Sequence, residues 1–325
     1  MKQKMKIIVL ALALMGTTVL QAQAQENTNQ MFNHLDLGVT LGTTGVGLDA
    51  AMPVGNYVKL RAGFEVMPRF NYDMHFDVES YGGGTVTENQ FQRMAEVLNG
   101  LTGFEVDQNV TMKGKPTMWN FKFLVDIYPL KNNKHWHATV GFHWGPSKIA
   151  EAVNAIEDSP SLFAVGMYNH LYDVSYKDWI LGEPTPLIVT GSLGELSLDP
   201  RIESRIVEMG RMGIPIGTYK ETGETYYMEP DEHSMVSAEA RTNSFKPYLG
   251  IGYEGRLLKG NDTYHIGFDA GMMFWGGTPS IITHDGTDLA KDVEDVRGKV
   301  GTYVDLVKSF KVFPVVNLRI TRTIF

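Results

Sequence analysis

The chain has 325 residues, of which 43% are hydrophobic and 11% aromatic, with no cysteine and a net charge of −8. The hydrophobic content argues against a disordered protein, and the absence of cysteine excludes disulfide scaffolds, thiolate metal sites and cysteine nucleophiles. A negative net charge without a long basic run argues against nucleic acid as a partner.

The first 24 residues have the pattern of a secretory signal peptide. Lysines at positions 2, 4 and 6 precede an apolar run over 7–15, and Ala22-Gln23-Ala24 ends the segment with small residues. The apolar run is too short for a membrane-spanning helix, which needs about 20 residues. We therefore expect cleavage after residue 24, which leaves 25–325 as a single exported domain.

Eight segments alternate apolar and polar residues with a period of two, which is typical of β-strands. The segments are 35–42, 46–52, 58–66, 119–127, 136–144, 249–254, 265–274 and 316–321. No apolar stretch after the signal peptide is long enough for a spanning helix. Two classes of exported protein remain: a soluble β-protein and a transmembrane β-barrel.

Three features of these segments favour the membrane barrel. Aromatic residues lie near the ends of the apolar stripes, and the opposite face combines glycines with charges of both signs, which suits a narrow lumen. The connections also alternate in length. Short ones at 53–57, 130–134 and 258–263 alternate with long ones at 79–109, 150–244 and 279–310, although the turn at 43–45 is short as well. Short turns at one end and long external loops at the other are typical of outer-membrane barrels.

The strands resemble Gram-negative outer-membrane barrels of the OmpA-like or OmpX-like eight-stranded family. The matching stretches are Lys246-Pro247-Tyr248-Leu249-Gly250-Ile251-Gly252-Tyr253, Phe268-Asp269-Ala270-Gly271-Met272-Met273-Phe274, Gly276-Gly277-Thr278-Pro279 and Phe310-Lys311-Val312-Phe313-Pro314-Val315-Val316. The resemblance implies an all-β fold, an antiparallel up-and-down transmembrane barrel of eight strands in the cell outer membrane. Its partners are expected to be outer-membrane lipid and lipopolysaccharide and the barrel-insertion machinery, and the family has no shared catalytic residues. Ten strands stay open, because 187–190 and 225–228 also have strand character.

The C-terminus departs from the family pattern. Such proteins usually end with a phenylalanine on the apolar face of the last strand, but Phe325 has the opposite parity to Val316, Leu318 and Ile320. A β-bulge near the end of the strand would bring the two into register.

The long connections carry most of the charge and several helical patterns. The 150–244 connection has 16 acidic and 6 basic residues. Helices are predicted from Pro200 to a stop at Gly210, shortly after Ser147, after a capping box at Thr87, and along an apolar stripe over 289–307. Their apolar faces either bury one another in a small core, or cap the mouth and present a surface to an extracellular ligand.

Eleven charged residues fall on the inward face of the predicted strands. They are Asp36, Asp49, Lys59, Arg61, Glu65, Lys122, Asp126, Glu254, Arg256, Asp269 and Arg319. An eight-stranded lumen is only wide enough for side chains to fill it, so buried charges there must pair. We interpret the set as an ion-paired plug, with a gated narrow pore as the alternative.

Other motifs in the sequence give weaker evidence for a functional site. The stretch 250–255 matches a dinucleotide fingerprint in letters but lies within a strand, without the helix that such a site needs. His135, His137 and His143 share a strand face, but their spacing along it is too long for a zinc site, so they are expected to fill the lumen or its rim. No G-x-S-x-G elbow is present. We predict no catalytic residues, no metal and no cofactor.

The sequence therefore predicts a non-enzymatic outer-membrane β-barrel with a structural or surface-interaction role. Two alternatives stay open: a porin-like narrow channel for small solutes, and a soluble exported β-protein that binds an apolar ligand.

Overall fold

The computed structural model describes residues 32–81, 95–96, 99–100, 103, 107–130, 133–181, 200–258, 260–309 and 311–324. Its strands are β1 (Asp36–Gly42), β2 (Gly45–Pro53), β3 (Val58–Val66), β4 (Tyr72–Asp77), β5 (Glu79–Tyr81), β6 (Asn109–Pro116), β7 (Trp119–Ile127), β8 (Trp136–Trp144), β9 (Lys148–Asn154), β10 (Arg211–Tyr219), β11 (Thr225–Met228), β12 (Ser237–Arg241), β13 (Phe245–Leu258), β14 (Asn261–Phe274), β15 (Ser280–Thr283), β16 (Val293–Glu294) and β17 (Val312–Thr323). The helices that we label are α1 (Ser159–Leu181), α2 (Pro200–Met209) and α3 (Gly298–Ser309). The predicted signal peptide and Phe325 lie outside the described residues and stay predictions.

Eight strands close into a barrel: β1, β2, β3, β7, β8, β13, β14 and β17. Each pairs antiparallel with the next barrel strand along the chain, and β17 returns to β1, with Asp36 opposite Thr323. The barrel confirms the predicted all-β fold class and the architecture that the family resemblance implies. The ten-stranded alternative is wrong for 225–228, because these residues form β11 outside the barrel, and 187–190 lie outside the described residues.

The outward face of the barrel is apolar and bounded by aromatic side chains. Leu48 and Ile251 on that face are more than half exposed, and other large apolar residues there, such as Val140 and Phe268, are 40–48% exposed. Near one end the rings of Trp119 and Trp144 lie 6.4 Å apart, and near the other Trp136 and Tyr253 lie 5.2 Å apart. From Trp136 to Trp144 the strand rises about 27 Å at ~3.4 Å per residue. At a tilt of ~40° this gives an apolar band about 21 Å tall, close to the ~25 Å of outer-membrane barrels.

The last strand keeps its register to its end. Pairing between β1 and β17 runs without a shift from Gly42 opposite Asn317 to Asp36 opposite Thr323. The bulge expected near the C-terminus is therefore absent from the described part of β17. Arg322 consequently lies on the outward face, where its guanidinium is 5.9 Å from the ring centre of Tyr264.

The two ends of the barrel differ. The turn end carries the short connections 54–57, 128–135 and 259–260, and the loop end carries three long ones, 67–118, 145–244 and 275–311. Five barrel strands continue past the loop end as a second sheet in the order β15-β12-β9-β6-β4, which repeats the barrel order β14-β13-β8-β7-β3. We call the three long connections together the loop domain.

The loop domain has a hydrophobic core of its own. A smaller sheet of β11, β10 and β16, with β5 also pairing to β10, packs with the helices. Met212 and Ile214 of β10, Leu162 of α1 and Val304 of α3 are all at most 1% exposed in one cluster. None of the described helices is long and apolar enough to cross a membrane.

The structure confirms one of the helical predictions and changes two. The helix predicted from Pro200 is α2, and Gly210 ends it with a φ of +74° that favours glycine. The helix predicted after Ser147 is wrong, because Lys148–Asn154 is β9, held between β6 and β12. In the stripe over 289–307 only the part from Gly298 is helical. The capping box at Thr87 lies outside the described residues.

Candidate functional site: the barrel lumen

Ion pairs fill the lumen in three layers, of which the first lies near the turn end. Lys59 Nζ is 2.9 Å from a carboxylate oxygen of Asp36 and 2.9 Å from one of Glu254. Arg319 Nη2 donates to the other Glu254 oxygen at 2.7 Å, and Thr323 Oγ1 donates to Asp36 at 2.6 Å. Two cations and two carboxylates thus make up the first layer.

The middle layer spans the whole width of the barrel. Arg61 on β3 donates to Asp126 on β7 at 2.9 Å and to Asp269 on β14 at 2.7 Å. In the ring of eight strands β14 is four strands from β3 and therefore lies directly opposite. Thr139 Oγ1 donates to Asp126 at 2.7 Å, and the His137 ring lies 3.1 Å from Asp269. The guanidinium therefore bridges the two walls of the lumen.

The third layer lies near the loop end. Lys122 Nζ is 2.8 Å from Asp49 and 3.2 Å from Glu65, and the His143 ring is 2.9 Å from Glu65. Above them Lys246, fully buried, donates to the side-chain oxygen of Asn120 at 3.3 Å and to the carbonyl of residue 146 at 3.4 Å. Among the described residues, no carboxylate lies within ion-pair distance of Lys246.

The structure brings ten of the eleven predicted charges together in these layers. Arg256 is the exception, because the pairing of β13 with β14 shifts between Arg256 and Leu258. Its side chain is 58% exposed beyond the lumen and pairs with Asp262. The prediction that Arg256 belongs to the lumenal network is therefore corrected.

Neutral residues complete the lumen. His137 and His143 are buried there, whereas His135 lies at the rim, where its ring is 2.7 Å from the Glu254 carbonyl oxygen. Asn120 and Thr139 share the inward parity of the predicted charges, which was the signal available for them. Lys246 was missed because it precedes the alternating stretch that begins at Leu249. Over the described part of the chain, no cluster of three histidine, aspartate or glutamate side chains has the geometry for a metal ion.

A polar funnel opens at the turn end below the first layer. It has a volume of about 670 Å³, and its walls include His34, Tyr128, Arg256 and His265. Lys59 and Glu254 also line it, so the funnel ends at their ion pair. The charges have little room to move apart, since every one in the middle layer is at most 4% exposed. Chemically, the arrangement links non-adjacent strands of the barrel through buried ion pairs.

Comparison with known proteins adds two solved structures. No family model and no curated protein matches the chain. The crystal structure of Acinetobacter baumannii CarO2 aligns over 91% of this chain and 100% of its own, with 11% identity and a TM-score of 0.39. That of Acinetobacter baumannii CarO aligns over 91% and 99%, with 10% identity and a TM-score of 0.36. Scores below 0.5 at this identity establish neither a common activity nor a common ligand.

Proposed function

We propose that this chain is an outer-membrane protein in which a closed barrel anchors a folded domain at the cell surface. The bridge from Arg61 to Asp126 and Asp269 across the lumen carries the proposal, because it makes the barrel a filled core rather than a conduit. The apolar band between two aromatic girdles supports the membrane location. The role is structural or surface-interaction, and the domain that performs it is the loop domain.

The outward surface of the barrel argues against a soluble protein. Leu41, Leu48 and Ile251 each expose at least 59% of their surface, and similar residues surround the barrel. Soluble monomers rarely expose contiguous apolar patches larger than a few hundred Å². Outer-membrane lipid and lipopolysaccharide are therefore the proposed contacts of this surface, and the barrel-insertion machinery is the proposed route to it.

Cell fractionation with gel electrophoresis tests the anchor. The protein is expected in the outer-membrane fraction, with different mobility in unheated and boiled samples, since a closed barrel resists detergent until it is heated. Recovery in the soluble fraction without a mobility change would overturn the proposal.

A narrow channel is the second candidate, and the polar funnel of about 670 Å³ at the turn end is the observation that favours it. Planar-bilayer recordings separate the two functions. The anchor predicts no steady conductance from the natural protein. An Arg61→Ala variant that conducts while the natural protein stays silent would agree with a plug, whereas steady conductance of the natural protein would establish the channel.

The proposal includes the absence of catalysis. Phospholipid vesicles that contain the folded protein are expected to release fatty acid no faster than vesicles without it. A rate that increases with the amount of protein would contradict this part of the proposal.

A further inference from the structure

The loop domain contains an apolar cavity of about 520 Å³ between the five-stranded sheet and helix α3. Cavities of about 300–1,000 Å³ are typical of small-molecule sites. All five strands contribute to its wall, so at about 4.8 Å between strands it extends across as much as ~19 Å of sheet. The space is thus elongated and distinct from the lumen.

Small residues in the middle of the sheet create this space. Gly114, Ala152 and Ala238 are direct neighbours in one row across β6, β9 and β12. Ala150 and Ala240 are neighbours in the next row towards the barrel. Across the cavity, Val300, Val304 and Val307 present one face of α3. A gap separates the valine side chains of α3 from the small residues of the sheet, and this gap is the cavity.

The polar side chains at the wall already have partners. Thr283 accepts a hydrogen bond from the Tyr226 hydroxyl at 3.0 Å and donates to Asp285 at 2.6 Å. Lys115 and Glu151 also border the cavity, but their charged ends pair with each other at 2.8 Å. A buried water needs two to four polar partners. The cavity therefore suits an apolar occupant better than water.

The other face of the same sheet is charged. Lys148 contacts both Glu151 and Glu239, at 2.5 Å and 3.3 Å, and Glu239 also pairs with Arg241 at 2.6 Å. We call these ion pairs the charged ladder, and they indicate that this face of the sheet is in contact with water. The face with the alanines is consequently the inner one.

One end of the cavity lies close to the membrane-facing girdle. Pro116 lines the cavity and is three residues, about 10 Å of strand, from Trp119 at the top of the apolar band. Phe70, in the link between β3 and β4, also lines it and is 62% exposed. An apolar chain at the membrane surface would thus meet an aromatic side chain at this end.

We propose that the loop domain binds a hydrocarbon chain in this cavity, with any polar head group left outside. The apolar wall, the elongated shape and the position beside the girdle together select this ligand class. The hydrocarbon chain belongs either to a membrane lipid or to a free fatty acid, and the two sources share the same chemistry inside the cavity. The site does not depend on whether the barrel conducts.

Photo-crosslinking tests the site directly. The full-length protein is folded into lipid nanodiscs and exposed to a hexadecanoic acid that carries a diazirine, and the labelled peptides are identified by mass spectrometry. In a second arm the diazirine is on an acyl chain of the nanodisc phospholipid. We expect labelling on β9, β12 or α3 in at least one arm. Labelling by the phospholipid indicates a membrane source, and labelling by the fatty acid alone indicates a free ligand.

Filling the cavity provides the matched comparison. Ala152→Trp is expected to reduce labelling of these peptides at least tenfold, whereas Val153→Trp, on the same strand but on the charged face, leaves labelling unchanged. Ala152→Leu and Ala238→Leu give a smaller filling in case tryptophan disturbs the fold, and protease resistance of the loop domain reports folding. Absence of labelling in both arms, or labelling that is the same in a folded Ala238→Leu and Ala152→Leu double variant, would overturn the proposal.

Discussion

The strands of the barrel and those of the loop domain have opposite polarity: polar residues face inward in the barrel and apolar residues face inward in the loop domain. In the barrel, Arg61 and Lys122 are at most 2% exposed while Leu48 points outward. In the loop domain, Met212 and Ile214 are buried while the charges of Lys148 and its partners meet water. An alternation of period two therefore does not show which face of a strand lies inside. In the proposed membrane anchor the surrounding medium decides it, with lipid around the barrel and water around the loop domain.

The two regions are consequently stabilised by different interactions. Apart from Lys246, the buried charges of the three lumenal layers are tolerated because each is paired with an opposite charge, and removal of one partner leaves the other uncompensated. The core of the loop domain depends on burial of apolar surface and on close packing. Substitutions of the same chemical type should thus have different consequences in the two regions, which gives four ways to test the comparison.

The largest effect is expected when the middle layer of the lumen loses its cation. Arg61→Met leaves Asp126 and Asp269 buried without their guanidinium, and breaking a buried pair costs about 3–5 kcal/mol. Urea unfolding of the barrel in lipid vesicles, followed by the gel-mobility change, measures the loss. Arg256→Met is the matched control, because its pair with Asp262 is exposed, and surface pairs contribute about 1 kcal/mol or less. Equal losses in the two variants would contradict the separation of lumen and rim.

The next effect concerns apolar truncation. Ile214→Ala, at a site that is 1% exposed in the loop-domain core, removes buried methylenes and leaves a void, at a cost of about 2–5 kcal/mol. Limited proteolysis should show faster cleavage of the loop domain while the barrel keeps its heat-dependent mobility. The control Leu48→Ala lies on the outward face, where lipid fills the vacated space. If Ile214→Ala destabilises barrel and loop domain equally, the two do not have separate cores.

A charge placed on an exposed apolar residue distinguishes lipid from water. Leu249, 54% exposed, lies midway between the two aromatic girdles, and Leu249→Arg should destabilise the folded barrel by about 2–4 kcal/mol, the cost of arginine at the bilayer midplane. Ile156 is 82% exposed in the loop domain, and Ile156→Arg should change stability by less than about 0.5 kcal/mol. Folding yield and unfolding in vesicles measure both. A neutral Leu249→Arg would show that this face does not meet lipid.

The smallest effect is a pH dependence of the loop domain. Hydrogen bonds from Lys115 and Lys148 lower the pKa of Glu151, and one from Arg241 lowers the pKa of Glu239, from the ordinary 4.5. Because the folded pKa values lie below the unfolded ones, this stabilisation is complete above pH 4.5 and is lost as the pH falls through the folded values. The two carboxylates are only partly buried and their lysine partners are exposed, so we expect about 1 kcal/mol or less from each.

Thermal unfolding of the loop domain between pH 6 and pH 3 checks this dependence. Glu151→Gln should flatten the curve below pH 5, whereas Glu232→Gln, at a side chain that is 88% exposed, should leave it unchanged. A curve that Glu151→Gln does not alter would show that the ion pairs of Glu151 do not cause the pH dependence.

The sequence predicts the barrel well because its strands keep a strict alternation, which contact with lipid on the outward face would explain. Outward positions along the middle of the strands, such as Val140 and Leu249, are apolar, and inward positions carry side chains that fit a narrow lumen. The pairing of particular charges was not predictable. Lys59 and Glu254 are 195 residues apart and meet on non-adjacent strands, so their contact depends on the register of the whole barrel.

The loop domain was predicted poorly for a physical reason as well. On β9 the inner face consists of Ala150 and Ala152, which give almost no hydrophobic signal, while Ile149 and Val153 on the other face have a helical spacing of four. The pattern therefore indicated a helix where the structure has a strand. The cavity depends on these alanines facing α3, a contact between segments about 150 residues apart, and no local pattern reveals it.

Cysteine labelling on intact cells tests the central claim most directly, because the chain has no cysteine of its own and an introduced one is unique. Glu221→Cys places a thiol on the exposed hairpin after β10, and Asn56→Cys places one in the exposed turn after β2 at the opposite end of the barrel. A membrane-impermeant maleimide should label Glu221→Cys on intact cells and Asn56→Cys only after the outer membrane is opened. Labelling of Asn56→Cys but not Glu221→Cys on intact cells, or of neither before lysis, would contradict a barrel that displays the loop domain at the cell surface.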